Sequence, residues 1–430
     1  MNIVKMCQAF LFVVASFVVL SVITNYAFAD GRDLIDFHTF GTLAGTTTSQ
    51  PTVGFLRDAG QTGGAMKGGN PLVTDSRVGA QIDVHISPKL SATIQGTYAK
   101  RAMEDVNSNL QWLYLKYIVN NNLYVRVGRV GADLFAVTDQ QNVGYTYPWI
   151  RPPVEVYGFM PIYSMDGIDL TITHDIGDGI FTFKPYFMRA KPDYFLHDQG
   201  LPALATTINF SPVTGFTTGW KDDKWTVRFS AVNTIDRAPL AGLNTILTQA
   251  QAFAPYDPRF GTLGSEALFQ NTWTQFYDAN VTYDDGNWFF MSEATRTMYQ
   301  SLAKPNKEAG YVTAGKYFMV NGRPLLLYGT ASEVRPTRLE YTLNPPATSP
   351  AIVQGIASMI MNDYFDKTQE NQRTLSVGAK YTINEHFDLK AEYDRVKVFG
   401  AAYAVWDTYN GVVPNPNGVN VYAVAVDWIY

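Results

Sequence analysis

Four charged residues lie in one unusually stiff stretch of this chain, and their types point to electrostatic rather than covalent chemistry. They are Asp133, Asp139, Arg151 and Glu155, all within residues 131–165. The last two belong to YTYPWIRPPVEVYG, residues 145–158, which holds three prolines. Because proline fixes φ and donates no backbone hydrogen bond, this stretch pairs poorly in a sheet and loses little freedom when it is held in place. A rigid loop that carries both signs of charge can shape a local electric field.

Covalent and metal chemistry find little support in the same sequence. The only cysteine is Cys7, and the five histidines are dispersed along the chain. Neither an HExxH nor a Gly-x-Ser-x-Gly pattern occurs. We therefore expect no catalytic residues, no cofactor and no metal site, and we do not expect an enzyme.

A second set of charged residues lies in segments where apolar and polar residues alternate. In SRVGAQIDVHIS, residues 76–87, valine, alanine and isoleucine occupy one face, and Arg77, Gln81 and Asp83 occupy the other. Such alternation predicts strands with one wet face and one apolar face. The wet faces are expected to carry Arg77, Arg126, Arg228, Glu293 and Lys316.

The connections between these segments alternate strictly between short and long. About sixteen strands of roughly 10–14 residues can be counted, longer than the ~5–6 residues usual in soluble proteins. Seven short connections, such as SPK at 87–89 and NEH at 384–386, have the composition of hairpin turns. The eight longer ones fall near 47–75, 102–108, 131–165, 191–202, 237–270, 301–308, 337–370 and 400–418. This asymmetry predicts an all-β fold, an antiparallel up-and-down barrel that crosses a membrane, with short periplasmic turns and long extracellular loops.

The first 29 residues are expected to be a signal peptide that precedes the barrel. Lys5 comes before the apolar run AFLFVVASFVVLSVIT, residues 9–24, and AFA at 27–29 has the small-x-small pattern of a cleavage site. A retained N-terminal anchor is the alternative. Residues 30–430 would then carry 32 basic and 38 acidic side chains, a formal charge of −6. Without a basic cluster, nucleic-acid binding has no electrostatic basis.

The end of the chain strengthens the membrane interpretation. VYAVAVDWIY, residues 421–430, sets tyrosine, valine and tryptophan on one face and alanine and aspartate on the other. Apolar rows that end in interfacial aromatic residues suit the lipid side of a barrel. With a leader, about sixteen strands and a long third loop, the whole of 30–430 resembles the Gram-negative outer-membrane porins. The most specific likeness is YVRVGRV…DQQNVGYTYPWIRPPVEVYG, between residues 124 and 158.

The resemblance implies a homotrimer of sixteen-stranded barrels in the outer membrane of a Gram-negative bacterium. It implies that the third loop, 131–165, folds inward and narrows each pore. Implied partners are outer-membrane lipids, lipopolysaccharide and the barrel-assembly machinery, which recognises an aromatic C-terminal signal. The porins usually end in phenylalanine, whereas this chain ends in Tyr430.

Two functions from different classes are compatible with the sequence. The first is a water-filled channel for passive diffusion of small hydrophilic solutes and ions, with the four loop charges at its narrowest point. The second is a low-conductance barrel that acts as a surface structural or adhesion protein. Side chains alone do not fill a sixteen-stranded barrel, which favours the channel. The solute and the sign of the preferred ion stay open.

Overall fold

Sixteen antiparallel strands close into a barrel in the computed structural model, which describes residues 34–103, 105–196, 204–237, 241–268, 270–337, 339–400, 405–408 and 413–430. The strands are β1 (Ile35–Thr48), β2 (Arg77–Ser87), β3 (Leu90–Ala99), β4 (Leu110–Asn120), β5 (Leu123–Gly131), β6 (Ser164–Ile176), β7 (Gly179–Ala190), β8 (Phe210–Lys221), β9 (Trp225–Arg237), β10 (Gln270–Asp284), β11 (Trp288–Tyr299), β12 (Lys307–Val320), β13 (Arg323–Pro336), β14 (Gln372–Thr382), β15 (Phe387–Val398) and β16 (Val419–Ile429). Each strand pairs with its neighbour in the chain, and β1 pairs with β16 to close the barrel. The predicted strand number and topology are confirmed. The expected signal peptide, residues 1–29, lies outside the described residues.

The connections also follow the prediction. Short turns occur at 88–89, 121–122, 177–178, 222–224, 285–287, 321–322 and 383–386. The opposite end carries loops L1 (49–76), L2 (100–109), L3 (132–163), L4 (191–209), L5 (238–269), L6 (300–306), L7 (337–371) and L8 (399–418). In the 321–322 turn, Asn321 and Gly322 both have positive φ, at 51° and 75°. This backbone matches the twist of the two flanking strands, so it makes a tight hairpin.

The outward faces of the strands are apolar. On β4, Leu113, Leu115 and Tyr117 point outward and are 52, 50 and 49% exposed, whereas Tyr114 and Lys116 between them point inward. The same pattern recurs around the barrel at Leu43, Ile94, Val127, Ile168, Phe187, Val227, Val312, Leu327, Leu375, Leu389 and Val424. Hydrocarbon requires such a surface, because it offers no hydrogen-bond partner to polar groups. The chain is therefore a transmembrane barrel.

Helices occur only in the loops, as far as the described residues show. The α-helices are Val106–Asn109, Val154–Tyr157, Ala241–Ala250, Leu263–Glu266 and Ala351–Met359, and the last continues as the π-helix Ile360–Phe365. Short 3-10 turns lie at Thr138–Gln140, Gly144–Thr146, Gln251–Phe253, Pro258–Thr262 and Asp366–Thr368. None of the helices among the described residues has the length and apolar character needed to cross a membrane.

The largest buried apolar clusters lie inside the barrel and among its long loops. L5 and L7 pack on each other through Leu247, Phe260, Val353 and Phe365. Inside the barrel, L3 residues such as Trp149 pack on inward side chains of the wall. Near the loop end, the short strands Val53–Phe55 of L1 and Trp406–Thr408 of L8 pair with each other. The buried core is therefore formed by L3 against the inner wall and by packing among the other long loops.

Candidate functional site

L3 runs along and across the inner wall between β5 and β6. The indole Nε1 of Trp149 donates to the hydroxyls of Thr313 on β12 and Thr330 on β13, each at 3.1 Å. Phe135 packs edge-on against Phe276 of β10, with ring centroids 5.1 Å apart. The aromatic residues of L3 thus find burial against strands distant in sequence, and the prolines reduce the entropy lost on ordering the loop.

Arg151 holds L3 to L1 and to β15. Its Nε and Nη2 donate to the two carboxylate oxygens of Asp75 at 3.0 and 2.9 Å, and its Nη1 donates to Asp394 at 2.9 Å. The Arg151 side chain is only 3% exposed. Burial alone raises the pKa of the Asp75 carboxyl, but the Arg151 guanidinium outweighs burial and the pKa ends below its ordinary value. Arg151 is therefore a structural centre of the loop rather than a charge presented to open water.

Glu155 is also buried, at 2% exposed, and lies in the short helix Val154–Tyr157. It accepts hydrogen bonds from Ser332 at 2.7 Å, from Gln372 at 2.7 Å and from Thr374. Burial raises the pKa of the Glu155 carboxyl, and the three hydrogen bonds oppose the rise without cancelling it. Like Arg151, it fixes L3 to the wall.

Lys390 and Lys380, here called the lysine clasp, hold the tip of L3 by donating hydrogen bonds to its backbone carbonyls. Lys390 Nζ donates to the carbonyls of Gly144, Tyr147 and Trp149 at 2.6, 2.8 and 2.9 Å. Lys380 Nζ donates to the Tyr145 carbonyl. The alternating pattern of β15 places Lys390 inward, but no local signal identifies the loop carbonyls as its partners.

The other two expected loop charges, Asp133 and Asp139, have different surroundings. Asp133 pairs with Lys184 of β7 at 2.6 Å and with Arg228 of β9, and these cations lower its pKa against the effect of burial. Asp139 is half-buried and packs against Gly131, where a side chain would collide with its carboxylate. The glycine thus makes room for an acid that faces the wall near the start of L3.

Arg126 lies on the inner face of β5. Its Nη2 donates to Asp169 of β6 at 2.7 Å, and its Nε reaches both carboxylate oxygens at 3.1 Å. Its side chain is 11% exposed, against 1% for Asp169. Together with neighbouring inward residues it forms a polar wall. The polar wall consists of Gln81, Asp83, Thr93, Gln95, Lys116, Arg126 and Asp169.

Arg77 and Glu293 also face the lumen, and both bind L3. Arg77 donates through Nε to the Asn142 carbonyl at 2.9 Å and through Nη2 to the Tyr147 hydroxyl. Glu293 accepts from the backbone of Ala136 at 2.7 Å and is 1% exposed. These charges anchor the loop at two further points.

Lys316 does not face the lumen, so this part of the prediction is wrong. On β12 the odd-numbered residues such as Tyr311 point inward, and Lys316 falls on the outward face opposite Trp288. Its Nζ lies 4.7 Å from the Trp288 ring centroid, and Trp288 is 52% exposed. Near the turn end of a strand, a lysine can reach the interface while its stem contacts lipid. Alternation in this segment is too weak for sequence to decide the face.

L1 covers part of the loop end and ties the other loops together. Ala59 N donates to the Gly158 carbonyl of L3 at 2.8 Å, and Leu56 N donates to the Val405 carbonyl of L8 at 3.0 Å. A cavity of about 50 Å³ lies among L1, L2, L3, L4 and the start of β4. No cluster of three metal-ligating side chains occurs among the residues that the structure describes.

An apolar exterior, a polar wall inside and a long loop held across the lumen define a transmembrane β-barrel of sixteen strands with a loop folded into its interior. Among solved structures, the chain is similar to in-vitro folded OmpT, an outer membrane protein of Vibrio cholerae. The identity is 11% and the TM-score 0.50, covering 94% of this chain and all of that one. It is also similar to Salmonella typhi OmpF in complex with daunomycin, with 13% identity, a TM-score of 0.50 and coverage of 92 and 97% of the two chains. At these identities the likeness concerns the fold. No family model and no curated protein sequence matches the chain.

Proposed function

We propose that the chain is an outer-membrane channel, not an enzyme, through which small hydrophilic solutes and ions diffuse passively along a strongly narrowed lumen. The observation that carries this proposal is the polar wall. Its charged members Asp83 and Arg126 keep 20 and 11% of their side-chain surface exposed inside a barrel whose exterior is apolar. Water in contact with these groups gives polar solutes a path that hydrocarbon denies them.

The charged residues of the site have two roles: some hold L3 in position, and others are proposed to set the ion preference. Arg151 is engaged with L1 and β15, and Glu155 is engaged with the wall, so they fix the position of L3. Arg126 of β5 and Asp139 of L3 are partly exposed and carry opposite charges, and the Asp139 carboxylate adds to the electrostatic stabilisation of the Arg126 guanidinium. Because a narrow channel between low-dielectric walls focuses the field, these two residues are the proposed determinants of ion preference.

Single-channel recording in planar bilayers tests the proposal. Purified wild-type protein is expected to insert and give discrete current steps in potassium chloride. The current steps are expected to be small, because L3 crosses the lumen and L1 covers part of the loop end. A correctly folded barrel that inserts and gives no steps would contradict the channel.

A surface structural protein is the second candidate, and the cover formed by L1 favours it. Backbone hydrogen bonds join L1 to L2 as well, from Ala102 N to the Gly60 carbonyl at 2.6 Å, and to L4, from Phe195 N to the Ala59 carbonyl at 2.8 Å. If this cover is permanent, the barrel conducts poorly and its loops present a rigid outer face. Absent conductance together with a protease-resistant L1 would support this candidate.

We also propose a homotrimer, embedded among outer-membrane lipids and lipopolysaccharide and folded by the barrel-assembly machinery. Support comes from the porin fold and from the resemblance of the 124–158 segment. Light scattering of the detergent-solubilised protein, corrected for bound detergent, measures the assembly. A monomer at all protein concentrations would contradict the trimer.

A further inference from the structure

A cavity at the loop end of the barrel, here called the mouth cavity, has a polar lining. Its volume is about 50 Å³, and its lining includes Gly60, Arg101, Gln111, Tyr163, Lys191 and Asp193. One water-sized group requires roughly 10–15 Å³, so the mouth cavity holds three or four such groups. It lies above the β4–β6 side of the barrel, next to the polar wall.

Arg101 of L2 is the unusual member of this lining. It is 8% exposed, and its guanidinium carbon lies 4.6 Å from the Tyr163 ring centroid. Its Nε and Nη2 have no hydrogen-bond acceptor among the residues that the structure describes. A buried cation with free N–H groups is costly, because it has left water without a replacement partner.

The nearby acids are already engaged with other groups. Asp58 accepts from Arg57 Nε at 3.1 Å and from the Tyr163 hydroxyl at 2.6 Å. Asp193 accepts from the hydroxyls of Ser108 and Thr207 at 2.7 and 2.6 Å. Neither acid forms an ion pair with Arg101 in this part of the structure.

The balance of charges around Arg101 leaves it undercompensated. Burial lowers the pKa of the Arg101 guanidinium and the Arg57 cation adds to the lowering, whereas Tyr163, Asp58 and Asp193 oppose it without cancelling it. Lys191, an exposed residue of L4, brings another positive charge to the rim of the cavity. An anion that entered would meet these two cations, together with the Asp193 carboxylate, which already accepts from two hydroxyls.

We propose that the mouth cavity binds a small oxyanion, the carboxylate or phosphate group of a hydrophilic solute, through Arg101 and Lys191. The planar guanidinium suits both groups, because its parallel N–H bonds match their oxygens. Gln111 at the start of β4 also lines the cavity, and its Nε2 already donates to the Ser108 carbonyl at 2.9 Å. This inference rests on the proposed channel function, for which the cavity would be the first binding point of a solute on its way to the polar wall.

Isothermal titration calorimetry on the refolded full-length barrel in detergent tests the site, with inorganic phosphate and acetate as separate probes. Wild-type protein is expected to bind at least one of them saturably, and the stronger probe identifies the preferred group. Arg101→Gln is expected to weaken that binding about tenfold or more, since a charge-assisted hydrogen bond is lost. Lys191→Gln is expected to weaken it several-fold. Arg335→Gln is the matched control, because Arg335 is exposed on the outer face and pairs with Glu308.

The outcomes separate the site from the channel. Absence of saturable binding to the wild type, or wild-type affinity in folded Arg101→Gln, overturns the site. If Arg101→Gln does not fold, unchanged affinity in Lys191→Gln and in Arg101→Lys overturns it instead. Conductance of the wild type in potassium chloride is recorded separately. Conductance without anion binding removes only the site, and anion binding without conductance removes only the channel.

Discussion

Lys390 of β15 and Asp427 of β16 form an ion pair of 2.9 Å inside the barrel, and both side chains are 0% exposed. The same ammonium group donates to three carbonyls at the tip of L3. One buried lysine therefore links the wall to the loop that narrows the lumen. Its charge is balanced by Asp427, and its three N–H donors are used by the loop.

Replacing this lysine should free the tip of L3. In Lys390→Met the three loop carbonyls lose their donor and Asp427 loses its cation, at a cost of about 3–5 kcal/mol for a broken buried pair. We expect larger and noisier single-channel currents and a lower melting temperature. The control is Lys316→Met, which alters an outward lysine. Unchanged current and melting in Lys390→Met would show that the clasp does not hold the loop.

Charge removal on the polar wall should change ion preference in opposite directions. Arg126→Ala leaves the carboxylate of Asp169 unpaired, so we expect the reversal potential in a potassium chloride gradient to shift toward cations. Asp169→Asn should shift it toward anions, and the double variant should lie close to the wild type. If all three variants match the wild-type reversal potential, ions do not pass by this pair.

Acid should loosen the attachment of L3 to L1. The pKa of Asp75 is depressed by Arg151, so its stabilising contribution is complete above the unfolded pKa of about 3.9 and is lost as the pH falls through the lower folded pKa. The melting temperature of the wild type should therefore decrease at pH values below about 4. Asp75→Asn should be less stable at pH 7 and lose this part of the pH dependence. Asp178→Asn, which alters an exposed turn residue, should behave like the wild type.

Glu155 should have the opposite pH dependence. Its folded pKa is raised by burial, so the folded chain holds a proton that the unfolded chain releases, and stability falls as pH rises from about 4.3 to the folded pKa. Glu155→Gln should equal the wild type near pH 4 and melt roughly 1–3 °C higher at neutral pH. Thermal melts across that range measure the difference. A variant that melts lower at neutral pH would show that the ionised carboxylate is required.

The contact between L1 and L8 that covers part of the loop end should depend on Trp406 of L8. This side chain is 0% exposed, packs edge-on against Phe55 with centroids 5.2 Å apart, and donates to Gln372 at 2.8 Å. Trp406→Ala should cost about 3–5 kcal/mol and separate L1 from L8. We expect faster proteolysis within L1 and a higher conductance. Trp273→Ala, on the outer face, is the control, and equal proteolysis of L1 in both variants would contradict this role.

Much of the architecture can be predicted from sequence, because the two faces of each strand have different solvents. Period-two alternation specifies which residues meet water, and it places Arg126 inward in YVRVGRV. Turn composition and loop lengths specify the order and number of strands. Where the two faces of a strand differ little in polarity, as around Lys316, the sequence does not show which face points into the lumen.

A transmembrane barrel with a stiff, charged third loop can be predicted from the sequence, since hydrophobic periodicity and proline content are local properties of the chain. The partners of the loop charges become visible only in the folded barrel. Arg151 meets Asp75 and Asp394, which are 76 and 243 positions away, and Glu155 meets Gln372, 217 positions away. Barrel closure brings these groups together, and a buried charge is stable only beside such partners, so the residues expected to face open water are anchors of the loop.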